Sequence, residues 1–385
     1  MGVTGPAGFR AAGVAAAIKG SGARDLALVV NDGPLDAAAG VFTTNKVKAA
    51  PVLWSQQVLT QRRLRAVVLN SGGANACTGS GGFQDAHATA EKVGQALGCG
   101  AIEVAVCSTG LIGERLPMDA VLSGVDSAAN ALGGHDQDAE NAAEAVLTTD
   151  SRPKQVHLQR QGWSVGGFAK GAGMLAPNMA TMLAVLTTDA VVEGAVLDSA
   201  LRSATRVTFG RLDVDGGTST NDTVLVLASG ASGVRITEDE LAAGLREASQ
   251  GLVRQLQADA EGATKAVDIT VRGAVSEQEA VHIGRVIAED NLVKTALFGS
   301  DPNWGRIAMA LGRADAKIDV DRMEILTNGV SLYADGAPQA DRSDADLTGR
   351  DIEIVIDLHL GAEQATILST DLSHAYVEEN SAYSS

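Results

Sequence analysis

Hydrophobic positions along the chain follow two rhythms. Ile352, Ile354, Ile356, Leu358 and Leu360 alternate with Glu353, Asp357 and His359, the period-two signature of a strand with one covered face. Gly361 then turns the chain into Gln364–Leu368, which predicts a hairpin. Shorter apolar runs predict strands at Leu26–Val30, Ala66–Leu69, Val104–Cys107, Met182–Leu186, Thr223–Leu227, Val267–Val271 and Val293–Phe298. The second rhythm is helical. Thr237 with Glu240 and Ser276 with Glu279 have capping-box spacing ahead of apolar-periodic runs. Phe83–Leu97 and Ala195–Val207 are amphipathic helices. Loop-like composition marks Asn130–Asp136 and Asp150–Gly167, and there is no repeat or low-complexity segment. The alternation predicts an α/β protein with helices layered over sheets. The patterns leave parallel and antiparallel pairing undecided, although the closing hairpin favours a mixed sheet.

Composition narrows the picture. The 385 residues suffice for two domains or one two-lobed unit. With 45% hydrophobic but only 3% aromatic residues, the core must be built from Ala, Val, Leu and Ile. The formal charge of -17 argues against nucleic acid, whose phosphates want a Lys/Arg surface. Cys77, Cys99 and Cys107 are odd in number and lack CxxC spacing, so they fit a reducing, cytoplasmic setting. No apolar run approaches the length of a membrane span. The Ala-rich start has no basic region before it and reads as mature protein. Pro6 stands where a myristoylation signal needs Ser or Thr.

Several chemistries are struck out. There is no GxxxxGK[ST] phosphate loop, HExxH helix or GxSxG elbow, and the six histidines are scattered. The run Asp213–Asp222 looks like a calcium loop, but its glycine falls at the fourth position and the terminal Glu is missing. It reads as a turn with Asx-type hydrogen bonds, and no metal site is expected.

The stretch KGAGMLAPNMATMLAVLTTDA, Lys170–Ala190, changes from a glycine-punctuated loop to an apolar strand at Thr181. A threonine hydroxyl is a poor nucleophile without a base, and a Thr at a chain N-terminus can use its own α-amine. That amine has a pKa of about 7.7–8.0, suited to general-base work. Thr181 would gain it if its hydroxyl attacked the Ala180 carbonyl, moved the acyl group from nitrogen to oxygen, and the ester hydrolysed. A second stretch, VAVCSTGLIGE, breaks from a buried strand into Thr109-Gly110. A hydroxyl beside a glycine N–H is raw material for an oxyanion hole. The plainer readings, a β-branched residue starting a strand and an ordinary turn, stand beside these.

Further motifs decide between them. AKGAGMLAPNMATML, CSTGLIGERLPM, LTTDSRPK, DGGTSTNDT, EGATK, NLVKTALFGSDPNWGRI and the terminal NSAYSS together resemble the ornithine acetyltransferases, also called glutamate N-acetyltransferases. The resemblance spans essentially the whole chain. It implies an αββα-type sandwich similar to the N-terminal-nucleophile hydrolases, self-cleaved between Ala180 and Thr181. The α chain would be residues 1–180 and the β chain residues 181–385, assembled as α2β2. The implied reaction is ping-pong acetyl transfer from N-acetylornithine to glutamate through an acetyl-threonine at Thr181. The oxyanion pair falls on Thr109 and Gly110. Substrate contacts fall on Thr148 (with Thr149 the adjacent alternative), Lys170, Thr181, Glu261, Asn380 and Ser385. No cofactor is implied, and acetyl-CoA as a further donor stays open. The rival readings are a threonine amidase or aminopeptidase with water as acceptor, and a non-enzymatic acidic assembly protein.

Overall fold

Leu26, Ala27, Leu28, Val29 and Val30 are all fully buried, because the strand they form has neighbours on both edges and cover on both faces. The computed structural model describes residues 2–174 and 182–382. The buried strand, β2 (Leu26–Asn31), lies between β1 (Phe9–Val14) and β4 (Ala66–Ser71). β4 pairs in parallel with β5 (Val104–Thr109) to complete a four-stranded sheet. A five-stranded sheet follows the order β3 (Ala37–Phe42), β9 (Thr223–Ala228), β8 (Leu183–Thr188), β7 (Ser164–Lys170), β6 (Lys154–Gln159).

Side-chain alternation makes this second sheet the partition between two cores. Leu183, Val185, Leu225 and Leu227 share a core with the first sheet and with α2 (Gly79–Leu97) and α3 (Met118–Asn130). Ala184, Leu186, Val224 and Val226 face the other way, onto α5 (Gly194–Arg206) and α6 (Glu238–Ala258). The layers therefore run helix, sheet, sheet, helix, the expected αββα sandwich. Two further helices, α1 (Ala50–Val58) and α4 (Asp136–Ala145), add Trp54, Val58, Ala142 and Ala143 to the first core.

A third unit has its own core. Its sheet runs β13 (Ala337–Pro338), β12 (Val330–Ala334), β11 (Glu324–Thr327), β14 (Asp351–Asp357), β10 (Ala266–Ala274), β15 (Glu363–Thr370). Helices α7 (Glu277–Ala288), α8 (Asn291–Phe298) and α9 (Trp304–Leu311) cover it, and α10 (His374–Ala382) follows β15. The mixed sheet is present: β10 pairs in parallel with β14 and antiparallel with β15. The expected hairpin is not, since β10 lies between its two arms.

Two other expectations are corrected. Val293–Phe298 belongs to helix α8, because Asp290 caps it, accepting the N–H groups of Leu292 and Val293 at 3.0 and 3.1 Å. Most of residues 154–170 are not loop but the paired strands β6 and β7, joined by a turn at residues 160–163; Gly166 and Gly167 pack where a Cβ would overlap neighbouring backbone. Both capped helices are found: Thr237 and Glu240 bond reciprocally, and Ser276 accepts the Glu279 N–H at 3.1 Å. The Asp213 run is a turn, with Gly216 and Gly217 donating to Asp213 and Asp215 at 3.2 Å. The three cysteines are unpaired. Among the described residues no helix is long and apolar enough to cross a membrane.

Candidate active site

Strand β5 ends where a glycine is obligatory. Gly110 has φ +131°, and a Cβ there would lie 2.4 Å from the Gly73 nitrogen. Gly73 in turn donates its N–H to the Thr109 carbonyl at 3.0 Å, which fixes the turn. The Thr109 side chain is buried at the strand end.

Lys170 ends β7 with 1% exposure. Its ammonium donates to Thr148 Oγ1 at 2.9 Å and to Thr109 Oγ1 at 3.2 Å. A hydroxyl that accepts from Lys170 keeps its own proton to give elsewhere. Burial lowers the Lys170 pKa, and the negative charges of Asp150, Glu261 and Asp222 work against that shift. Thr148, of the two adjacent threonines, is the one whose hydroxyl accepts from Lys170.

Asp150 holds this corner. One oxygen accepts the Gly171 N–H and the Lys154 ammonium, each at 2.6 Å, and the other accepts the Thr148 N–H at 3.2 Å. Burial pushes its carboxyl up, but Lys170, Lys154 and the Gly171 N–H outweigh burial and hold it below the usual carboxylate range. Lys154, itself fully buried, also reaches Asp259 at 2.6 Å. Both threonines and the lysine are thus held by a buried network with alternating charge.

A second cluster stands across the turn at residues 171–174. Glu261 donates its N–H to the Ala172 carbonyl at 3.0 Å, and its carboxylate accepts the Asn380 amide at 2.9 Å. A Cβ on Gly173 would lie 2.1 Å from that carboxylate, so the close approach needs glycine. Met174 follows with φ +54° and donates its N–H to Asp215 at 2.7 Å. A cavity of about 600 Å³ opens beside Gly110 and Thr148, walled by Lys19, Gly72, Leu111 and Pro153.

The structure therefore brings Thr109, Thr148 and Lys170 together and joins Glu261 to Asn380. Ala180, Thr181 and Ser385 lie outside the described residues. Sequence reasoning did not single out Asp150 or Asp222. Asp150 had a signal, standing four residues before Lys154 and two after Thr148. Asp222 had none, being one of several hydroxyl and carboxyl residues in its turn.

A buried cation poised on two hydroxyls, next to a glycine N–H at a strand end, equips a layered α/β enzyme for acyl chemistry. Comparison with known proteins gives the lineage. The ArgJ family model matches residues 10–385. An arginine biosynthesis bifunctional protein ArgJ from Mycolicibacterium paratuberculosis is 62% identical over 100% of this chain and 97% of its own length. Its counterpart from Streptomyces coelicolor is 57% identical over 100% of both. A crystal structure of ornithine acetyltransferase complexed with ornithine, from Mycobacterium tuberculosis, matches at 67% identity and a TM-score of 0.45. It covers 46% of this chain and 94% of that one. The chain belongs to the ArgJ family.

Proposed function

We propose that the protein is an acetyltransferase of arginine biosynthesis that moves the acetyl group of N-acetylornithine to glutamate through a threonine ester. The observation that carries this reading is the Lys170 ammonium held between Thr109 and Thr148, one residue from Gly110. Thr181 first attacks the Ala180 carbonyl, and hydrolysis of the resulting ester leaves residues 1–180 and 181–385 as two chains. The new amine of Thr181 then takes the proton of its own hydroxyl, which attacks the acetyl carbonyl. The Thr109 hydroxyl and the Gly110 N–H face the oxyanion that forms. The C–N bond breaks, ornithine leaves with the proton on its amine, and the acetyl group remains as an ester. The glutamate amine attacks that ester, the threonine oxygen leaves and recovers its proton, and N-acetylglutamate departs.

The substrate assignments follow charge. Lys170 faces a substrate carboxylate, and Glu261 with Asn380 holds a substrate ammonium as a charge-assisted hydrogen bond. Ser385 closes the pocket from the chain end. Every step uses side chains and the new amino terminus, so the reading calls for no cofactor, and acetyl-CoA enters as a second donor to be assayed separately. The two chains pair as α2β2 in the cytoplasm. Incubation with N-acetylornithine, with and without glutamate, tests the reading. Formation of N-acetylglutamate with stoichiometric ornithine supports it; acetate released equally in both arms overturns it in favour of a hydrolase.

A further inference from the structure

Met182, the first described residue after Thr181, is held through both of its peptide groups by one short segment. Its carbonyl accepts the Thr223 N–H at 3.0 Å, continuing the parallel ladder between β8 and β9. Its N–H goes instead to a side chain, Oδ1 of Asp222, at 3.1 Å. Asp222 is fully buried. Burial pushes its carboxyl well above the usual carboxylate range. Without an acceptor the buried Met182 N–H would itself be costly, and Asp222 Oδ1 supplies that acceptor from a fixed side chain.

The segment that carries Asp222 is tied to the oxyanion pair. The Asn221 amide donates to the Ala74 carbonyl at 2.7 Å and to the carbonyl of Ser108, next to Thr109, at 2.8 Å. The Asp222 carbonyl accepts the Thr43 N–H at 2.9 Å. One rigid segment thus grips the strand end at Thr109 on one side and the peptide after Thr181 on the other.

We infer that Asp222 is a positioning residue for the proposed nucleophile: by holding the Met182 N–H at 3.1 Å it fixes the peptide that follows the nucleophile in the chain, from the same segment that grips the strand end beside Thr109. This rests on the reading of Thr181 as the acetyl carrier. The task belongs to the acceptor oxygen and its reach, not to the charge.

Three variants separate these terms in the acetylornithine–glutamate assay. Asp222→Asn keeps an acceptor at the same reach; Asp222→Glu keeps the charge and moves the acceptor outward by one methylene; Asp222→Ala removes it. A displacement of about 1 Å costs on the order of 10²-fold in rate, so the Glu and Ala variants should lose about that in kcat. Their KM values should stay within about threefold of the parent, since uniform binding is untouched. The Asn variant should keep kcat within about threefold. Slower self-cleavage in Glu and Ala, but not in Asn, also counts in favour, because the same hydroxyl must reach the Ala180 carbonyl. Parental kcat in Asp222→Glu, a loss in Asp222→Asn as deep as in Asp222→Glu, or a change confined to KM overturns the assignment. If Asp222→Ala does not fold, the Asn and Glu pair still decides. Peptide mass analysis of the parent enzyme after acetylornithine treatment keeps the underlying reading separate. Acetyl exchange with Thr181 unmodified would sink that reading whatever the variants do.

Discussion

Lys170 and Leu183 are partners in the antiparallel ladder between β7 and β8, although the chain between them carries the proposed cleavage bond. The strands after the seam are enclosed by strands from before it: β8 and β9 lie between β3 on one edge and β7 on the other. Leu183, Val185, Leu225 and Leu227 also share a core with the first sheet. Cutting one peptide bond leaves both ladders and that core intact.

The two pieces should therefore stay together until the protein unfolds. A denaturing gel should show fragments of 180 residues and of the remaining 205 of the 385. Gel filtration without denaturant should elute them as one species, and Thr181→Ala should run as a single intact band. Separation of the fragments under native conditions would contradict the shared sheet.

Lys170→Met should fold and lose activity. Asp150 keeps its second cation, Lys154 at 2.6 Å, so the network is weakened without stranding an unpaired carboxylate. What disappears is the charge that orients the Thr109 and Thr148 hydroxyls. Loss of one oxyanion-stabilising donor costs about 10²–10³-fold, and kcat/KM should fall within that range. Steady-state kinetics on cleaved protein checks it. A decrease smaller than tenfold would mean that the hydroxyls orient themselves without the lysine.

Gly173→Ala attacks the other cluster without changing charge. The added methyl would lie 2.1 Å from the Glu261 carboxylate, so that carboxylate must swing away from Asn380. A hydrogen bond to a charged group contributes about 1.5–3 kcal/mol, so KM for acetylornithine should rise by roughly 10- to 150-fold. The effect on kcat should be smaller, because Thr109, Gly110 and Lys170 are not displaced. Titration of the donor at saturating glutamate separates the two constants.

The sandwich was legible where local pattern and tertiary context agree. The apolar runs of β2, β4, β5, β8 and β9 are long, aliphatic and bounded by turn residues, so they read as strands without help. Val293–Phe298 reads the same way, yet the Asp290 cap commits it to a helix. The signal there was the cap rather than the apolar run. The Ile352–Leu360 alternation gave the right strand and the wrong neighbour, because pairing across β10 is a long-range choice that no turn residue announces. β7 was hidden by Gly166 and Gly167, which lower strand propensity locally and serve close sheet contacts. For the site, Thr109, Gly110 and Lys170 stood at visible seams between strand and loop. Asp150 and Asp222 act through backbone N–H groups and buried partners, which spacing along the chain does not encode.

Stability should depend on pH through a buried carboxyl that the proposed chemistry does not use. Asp213 is fully buried, and its Oδ2 has no hydrogen-bond partner among the described residues. Burial, helped by the charge of Glu289, pushes its pKa up to about 8, while the Gly216 N–H and Lys294 pull against that. Burial also lowers Lys294 to about 8. A carboxyl raised from its unfolded value near 4 binds more protons in the folded state between those two pKa values. Its contribution is then fully present below about pH 4 and is lost as pH rises through about 8. Asp213→Asn mimics the protonated acid and cannot ionise, so its stability relative to the parent should climb across that window. The slope is at most about 1.4 kcal/mol per pH unit, and the gain should level off above pH 8. Urea melts of both proteins at pH 5, 7 and 9 give the comparison. A constant difference across the three would show that Asp213 is ionised throughout and that Lys294 neutralises it.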